Sequence, residues 1–184
     1  MNVDPSLHRS LLSSYRIACA RSLRGRILDV GGGLGDYLPY LNGDVVLADV
    51  NHEALRQAPI SARVQASGEK LPFHDSCFDA AWACAVAQYL DLTRFVAELT
   101  RVTRHGGRIM LLMPNGRSPW DVIKRWLGHK TWAEQVGIVR QYSVHDLAAL
   151  GKVTGEVRFL PGEALLRSWP RLGHTLMLDI TVAK

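Results

Sequence analysis

The sequence predicts an α/β protein built on a doubly wound parallel sheet, and three observations carry that prediction. Short apolar runs that read as buried strands alternate with stretches whose apolar residues recur at helical spacing, the order expected of a sheet with helices on both faces. The first apolar run closes on Asp29 and then on Gly31, Gly33 and Gly35, and sheets of this class bind nucleotide-like ligands at such strand-to-helix turns. The 184 residues, 47% of them hydrophobic, suffice for one domain that buries about 70% of its unfolded surface. Neither an internal repeat nor a low-complexity segment interrupts them.

Taken in order, Leu7, Leu11, Tyr15 and Ala18 predict an amphipathic helix over residues 6–23, ended near Gly25. A strand at 27–30 leads through the glycines into a helix carrying Leu34, Tyr37, Leu38 and Leu41. The run Val45-Val46-Leu47-Ala48-Asp49 is a second buried strand. A short helix from Glu53 follows and stops before Pro59, because a residue preceding proline avoids the helical conformation. Residues 62–66 and 78–84 read as the third and fourth strands. Leu92, Phe95, Val96, Leu99 and Val102 mark one face of a helix closed by Gly106 and Gly107, and the fifth strand runs over 108–113. A helix at 143–151 and strands at 155–160 and 175–183 complete the chain.

The glycine turn has a chemistry of its own. Without a Cβ, the backbone passes very close to a ligand. A dinucleotide fingerprint needs G-x-G-x-x-G, yet counted from Gly31 its last position here is Asp36, and a carboxylate there repels pyrophosphate. The turn therefore suits a cofactor with adenosine and no phosphate, a description that S-adenosyl-L-methionine meets. Asp49 stands eighteen positions after Gly31, a spacing similar to that at which a carboxylate accepts hydrogen bonds from ribose hydroxyls. The competing reading makes it a helix cap, since Asp49 and Asn51 both precede a helix.

Further along stand Ser67-Gly68-Glu69-Lys70-Leu71-Pro72-Phe73, Cys77-Phe78-Asp79-Ala80-Ala81-Trp82, Leu99-Thr100-Arg101-Val102, His105-Gly106-Gly107-Arg108 and Met113-Pro114-Asn115. As an ordered set with the glycine turn, these segments resemble the class I S-adenosylmethionine-dependent methyltransferases. The likeness is to the type 11, ubiquinone-menaquinone methyltransferase-like branch, with its G-x-A-E-x-L-P-F and L-x-E-x-x-R-V-L-x-P-G-G segments. It covers residues 26–115, while 116–184 match in outline. The resemblance implies a Rossmann-like, seven-stranded, mostly parallel sheet with its last strand inserted antiparallel between the fifth and sixth. It divides the single domain into an N-terminal cap helix (1–25), a cofactor-binding core (26–115), a substrate cap insert (116–142) and a C-terminal helix with a strand pair (143–184).

The resemblance also assigns the cofactor residues. Gly31, Gly33 and Gly35 line the methionine and ribose side. Asp29 orients the loop or meets the cofactor's amino group, and Asp49, with Val50 beside it, meets the ribose. Ser67 and Gly68 form the adenine edge; relatives often carry an acid where Ser67 stands, so the bond there is weaker by about 1 kcal/mol. Glu69 is expected to cap or to form a salt bridge nearby, and Asp79 to be structural. Cys84, Gln88 and Tyr89 follow the fourth strand, where cofactor and acceptor meet in this family. Cys84 also reads as a small buried hydrophobe, and Gln88 and Tyr89 stand where many relatives have a pair of histidines.

Methyl transfer needs alignment and exclusion of water more than side-chain chemistry. A base helps when the acceptor is a hydroxyl or an acidic carbon, and its candidates are His129, Tyr142, His145 and His174, none in a recognisable motif. The insert at 116–142 carries Trp120, Trp126 and Trp132 with Arg117, Lys124, Arg125, Lys130 and Arg140. Such aromatic and apolar residues suit a planar or greasy acceptor, with Tyr89, Trp120 and Trp126 as its contacts. They equally serve to pack the cap onto the domain, and the basic residues suit an anionic acceptor or a membrane surface.

The net charge of +5 and the run Arg9, Arg16, Arg21, Arg24 and Arg26 raise an RNA methyltransferase as one alternative. Against it, no Asn-Pro-Pro-Tyr or Asp-Pro-Pro-Tyr segment follows the fourth strand, and no Pro-Cys pair offers a nucleophile. A non-catalytic S-adenosylmethionine-binding partner protein is a second alternative. Cys19, Cys77 and Cys84 are odd in number and form no C-x-x-C pair, which speaks against a disulfide framework or a zinc site. With no apolar run of about 18 residues and no signal-like start, the expected setting is the cytoplasm, and the expected partner is a small-molecule acceptor.

Overall fold

The computed structural model describes residues 14–131, 134, 140–156 and 169–183. Helix α1, Ser14–Ser22, precedes β1, Arg24–Val30, and β2, Asn42–Asp49, follows the glycine turn. The chain continues through α2 (His52–Gln57), β3 (Arg63–Gln65), β4 (Phe78–Cys84), α3 (Leu92–Val102) and β5 (Thr103–Pro114). Helices α4 (Pro119–Trp126) and α5 (Val144–Ala148) lead to β6 (Lys152–Glu156) and β7 (Thr175–Thr181). The sheet has seven strands in the order β3-β2-β1-β4-β5-β7-β6. Strands β1 to β5 are parallel, and β7 runs antiparallel to both β5 and β6, as the family pattern implies. Strand order reverses between β1 and β4, so the ligand crevice of this architecture lies at their carboxyl ends.

Alternation along the strands builds two cores. Leu28, Val30, Ala81, Ala83, Ile109 and Leu111 pack with Phe95, Leu99 and Val102 of α3. On the other face Ile27, Ala80, Trp82, Met110 and Leu112 pack with Cys19, Ala20 and Leu23, from α1 and its end, and with Tyr37. Every strand in the middle of the sheet is buried on both faces, which is why their sequences read as continuous apolar runs.

Two expectations are corrected. The helix carrying Leu34, Tyr37, Leu38 and Leu41 does not form; residues 31–37 coil through turns into a 3-10 turn at Leu38–Tyr40. Gly31, Gly33 and Gly35 all have positive φ, a left-handed geometry incompatible with a right-handed helix. The few residues left before β2 include Pro39, which has no N–H to donate. The segment instead closes with Gly35 N–H to Gly32 O, Leu38 N–H to Gly35 O and Tyr40 N–H to Tyr37 O. Tyr37 and Leu41 are buried even so. Nor do Gly106 and Gly107 end α3. The helix stops at Thr103, and the glycines lie within a long β5, where the register with β4 shifts between Phe78 and Ala80. Gly106 takes φ 73° there, and a bulge of this kind needs a residue able to adopt that conformation.

Helix α1 is described from Ser14 only, and the expected strand at 155–160 is found as Lys152–Glu156; its residues 157–160 and Trp132 lie outside the described residues. The segment Leu71-Pro72-Phe73 is clamped by α3. Arg101 donates to Leu71 O, Phe73 O, Asp75 and Glu98, and Glu98 in turn accepts from Leu71 N–H. Hydrogen bonds to charged groups contribute about 1.5–3 kcal/mol each when both partners are held. Arg101→Ala is expected to lower stability by about 2–3 kcal/mol, or roughly 4–12 °C in Tm for a chain of this size. Arg101→Lys should recover little of it, because a point charge does not reproduce the planar fork. Thermal unfolding of the two variants checks this.

Candidate cofactor site

The parallel register sets Asp29 of β1 opposite Leu47 of β2 and Trp82 of β4. Its carboxyl group is thus buried among apolar neighbours, at 1% exposure, and Oδ2 has no hydrogen-bond partner. Burial first, and then the charges of Asp49 and Asp36, push its pKa up from 3.8 to about 8. A Cβ at Gly32 would fall 2.6 Å from Asp29 Oδ2, so the carboxyl group sits directly beneath the glycine turn, and only glycine fits above it.

The turn is tied to β2 twice. Gly31 N–H donates to Ala48 O at 2.7 Å, and Gly33 N–H donates to Asp49 Oδ2 at 2.8 Å. Asp49 Oδ1 accepts from Asn51 N–H at 2.8 Å. The cap of α2 is Asn51, whose side chain accepts from Glu53 and Ala54 N–H. Asp49 is therefore not that cap. A Cβ at Gly33 would meet nothing nearer than Asp49 Oδ2 at 4.0 Å, whereas one at Gly31 or Gly35 would run into Val86 or Leu38. Of these three glycines, Gly33 has open space before it. Val50, next to Asp49, is 63% exposed.

Ser67 is half-buried, and its Oγ accepts from Glu69 N–H. Gly68 is buried, with Phe95 and Leu90 where a Cβ would point, so only its backbone is left for a ligand. Glu69 accepts from Asp91 N–H at 2.6 Å, and it is Asp91 that caps α3, so Glu69 braces the start of that helix through the backbone and not as the expected cap or salt bridge. Asp79 accepts from Arg26 N–H and pairs with Arg104 at the opposite edge of the sheet.

At the end of β4, Cys84 Sγ donates to the Tyr37 hydroxyl at 3.4 Å. Ala85 then adopts φ 58°, a strained conformation for a residue with a Cβ and one that clusters at functional turns. Gln88, buried, holds that turn by donating from Nε2 to Ala85 O at 2.6 Å, and its Oε1 has no partner. What sequence reasoning missed at Ala85 is its strain, because alanine signals no left-handed turn. Tyr89 stands half-exposed beside it.

The candidate bases are scattered. The Tyr142 hydroxyl donates to Leu90 O and accepts from Leu92 N–H, which commits it to holding the start of α3. His129 and His145 are exposed. His174 is half-buried, its ring stacked 5.5 Å from that of Trp120. Trp120 is itself pinned by Nε1–H to Leu172 O at 2.6 Å, while Trp126 is 85% exposed. Among the described residues no cluster of histidine, cysteine or acidic side chains could hold a metal ion.

The raised pKa of Asp29 has a sign that can be measured. Between about pH 4 and pH 8 the folded protein holds a proton that the unfolded chain has released, so stability falls as pH rises through that window. Asp29→Asn removes this dependence. Its Tm relative to wild type is expected to climb steadily from pH 5 to pH 8, and parallel Tm curves for the two proteins would show that Asp29 ionises normally.

Residues 28–111 match the methyltransferase domain family. A ubiquinone/menaquinone biosynthesis C-methyltransferase of Idiomarina loihiensis is 33% identical over 124 residues, covering 58% of this chain and 49% of its own. The chain thus spans about half the length of that relative. A S-adenosylmethionine-dependent methyltransferase of Thermotoga maritima superposes with a TM-score of 0.68 at 16% identity, over 96% of this chain and 91% of that one. The geranyl diphosphate C-methyltransferase of Streptomyces coelicolor, solved with S-adenosyl-L-homocysteine, gives 0.62 at 14% identity over 97% and 77%. The likeness of these two structures is one of fold. The family match falls on β1 to β5, the strands that form the glycine turn and its carboxylates, and over that segment the chain is similar to a methyltransferase domain.

Proposed function

We propose that the protein binds S-adenosylmethionine at the carboxyl ends of β1, β2 and β4 and transfers its methyl group to a small quinone-like, aromatic or lipid-like acceptor. The observation that carries this reading is the clasp between Gly33 and Asp49. It presents a carboxylate next to a backbone position with open space before it. Each Asp49 oxygen accepts one backbone N–H and keeps a lone pair, which suits a ribose diol. The unpartnered oxygen of Asp29 suits the cofactor's ammonium group, directly or through water. Ser67 and the Gly68 backbone serve the adenine edge. Support for the acceptor class comes from the relative of Idiomarina loihiensis, whose name places it in ubiquinone and menaquinone biosynthesis.

S-adenosylmethionine supplies a methyl group already activated on a sulfonium. The chain's part is to align the acceptor, which the rigid turn at Ala85 and Gln88 supports, and to keep water out. A proton leaving the acceptor needs a base, and His174, half-buried at this edge, is the one of the four candidates to test. Cys19, Cys77 and Cys84 form no disulfide with one another, which suits the cytoplasmic setting proposed for this reaction, and no described helix is long and apolar enough to cross a membrane.

Asp49→Ala is expected to weaken S-adenosylhomocysteine binding by about 1.5–3 kcal/mol, tenfold to more than a hundredfold, in calorimetry. An unchanged affinity would remove Asp49 from the ribose. Gly33→Asn tests the open side of the turn. Asparagine tolerates positive φ better than other side chains, so this variant should fold with a native circular dichroism spectrum and fail to bind the cofactor. Methyl-labelled cofactor incubated with the protein and a cell extract should leave its label in the lipid-soluble fraction; label in RNA or in none would overturn the acceptor class.

A further inference from the structure

The described residues distribute their exposed apolar side chains very unevenly. Leu34 follows β1, Val50 follows β2 and Tyr89 follows β4, while Trp169 stands just before β7, whose start pairs with the end of β5. The remaining four, Val122, Ile123, Trp126 and Leu127, belong to α4 and its end, on the segment leaving β5. Every exposed large hydrophobic among the described residues thus lies on the edge of the sheet that carries the glycine turn.

Helix α4 leaves its apolar side outward, where an ordinary surface helix buries it. At 3.6 residues per turn its four exposed apolar residues fall within an arc of about 140°, and Asp121, Lys124 and Arg125 fall on the other side. In a soluble domain the apolar arc turns inward. Here Val122 is 66% and Trp126 85% exposed, while Asp121 is half-buried, and that burial raises its pKa. Trp120 fixes this orientation, because its Nε1–H bond to Leu172 O and its stacking on His174 anchor the helix by its side.

Charge selects the occupant. Segment 117–130 holds Arg117, Lys124, Arg125 and Lys130 against the single acid Asp121; Glu134, beyond it, pairs with Arg125 at 3.0 Å. An apolar face that carries a tryptophan, with long basic side chains on the flanks of the helix beyond it, fits the interface of an anionic bilayer. A second copy of this chain would bring the same basic rim against itself.

We propose that α4 is a membrane-docking helix that seats the carboxyl edge of the sheet on an anionic lipid surface. In that pose Val122, Ile123, Trp126 and Leu127 enter the headgroup boundary while Lys124 and Arg125 meet lipid phosphates. Docking opens the cofactor edge toward the bilayer, from which a quinone-like or lipid-like acceptor enters without crossing water; this last consequence rests on the proposed function, whereas the docking itself does not.

The test is flotation of the purified chain with phosphatidylcholine vesicles, with and without phosphatidylglycerol. The chain should float with the anionic vesicles and stay below with pure phosphatidylcholine, and added salt should weaken the attachment. The double variant V122E/I123E should lose roughly tenfold or more in partitioning, with S-adenosylhomocysteine affinity within about threefold of wild type as the sign of an intact fold. No flotation by the folded chain at either composition overturns the proposal, as does flotation that the double variant leaves unchanged. Sedimentation showing a dimer that V122E/I123E dissolves overturns it in favour of a second copy. Vesicle binding without cofactor binding would sink the proposed function and leave the docking surface standing.

Discussion

The contact on which the glycine turn depends is the hydrogen bond from Gly33 N–H to Asp49 Oδ2. Two parallel strands put their carboxyl ends side by side, Val30 against Ala48, and the chain must leave both without filling the space above them. Gly31 extends the pairing by one bond to Ala48 O. Gly33 then turns back on itself to reach Asp49, and a charge-assisted bond of this type contributes about 1.5–3 kcal/mol when both partners are held. Left-handed backbone at positions 31, 33 and 35 follows from that closure. So does the loss of the helix that would otherwise cross back to β2, because the crossover is used up in turns.

The succession of strands and helices through β5, the position of β4 and the apolar face of α3 were legible in the sequence because apolar periodicity reports burial directly, whereas the antiparallel place of the last strand came from the family resemblance. Phe78–Cys84 and Leu92–Val102 are where their apolar residues predict them. The crossover after the glycines was not legible. Tyr37, Leu38 and Leu41 share a helical spacing, yet it is backbone φ at the glycines, invisible to side-chain pattern, that decides their conformation. At the site, the carboxylates and glycines announced themselves by residue type. Asp49 and Asn51 could not be told apart as caps until their hydrogen bonds were seen. Ala85 carries its strain in a residue that gives no hint of it, and the outward apolar face of α4 depends on Trp120 finding a partner fifty-two positions away.

The two edges of the sheet have been given different tasks. At the amino ends of the parallel strands, charged groups close on one another: Arg26 N–H on Asp79, Arg104 on Asp79, and Arg108 on Asp179 with a further bond to Ser22. These are satisfied pairs that hold elements together and offer nothing to a ligand. At the carboxyl ends stand the buried acid without a full set of partners, the strained alanine and the exposed apolar side chains. Stability and binding are thus separated by the length of a strand, which lets the binding edge carry unfavourable groups that a single mixed surface would not sustain.

The antiparallel insertion of β7 imposes an order in time. Strand β6 is made before β7 as the chain is synthesised, yet among the described residues its one strand neighbour is β7, which itself must slot between β6 and β5. Until Thr175–Thr181 emerges, β5 presents an open hydrogen-bonding edge from Arg108 to Pro114 and β6 has nothing to pair with. Pairings between distant segments form slowly because loop closure precedes any gain from contact, and open edges in growing chains invite the wrong partner. Strands β1 to β4, which carry the glycine turn and its carboxylates, are all synthesised before that moment, so the edge of β5 waits on a segment of the chain that comes last.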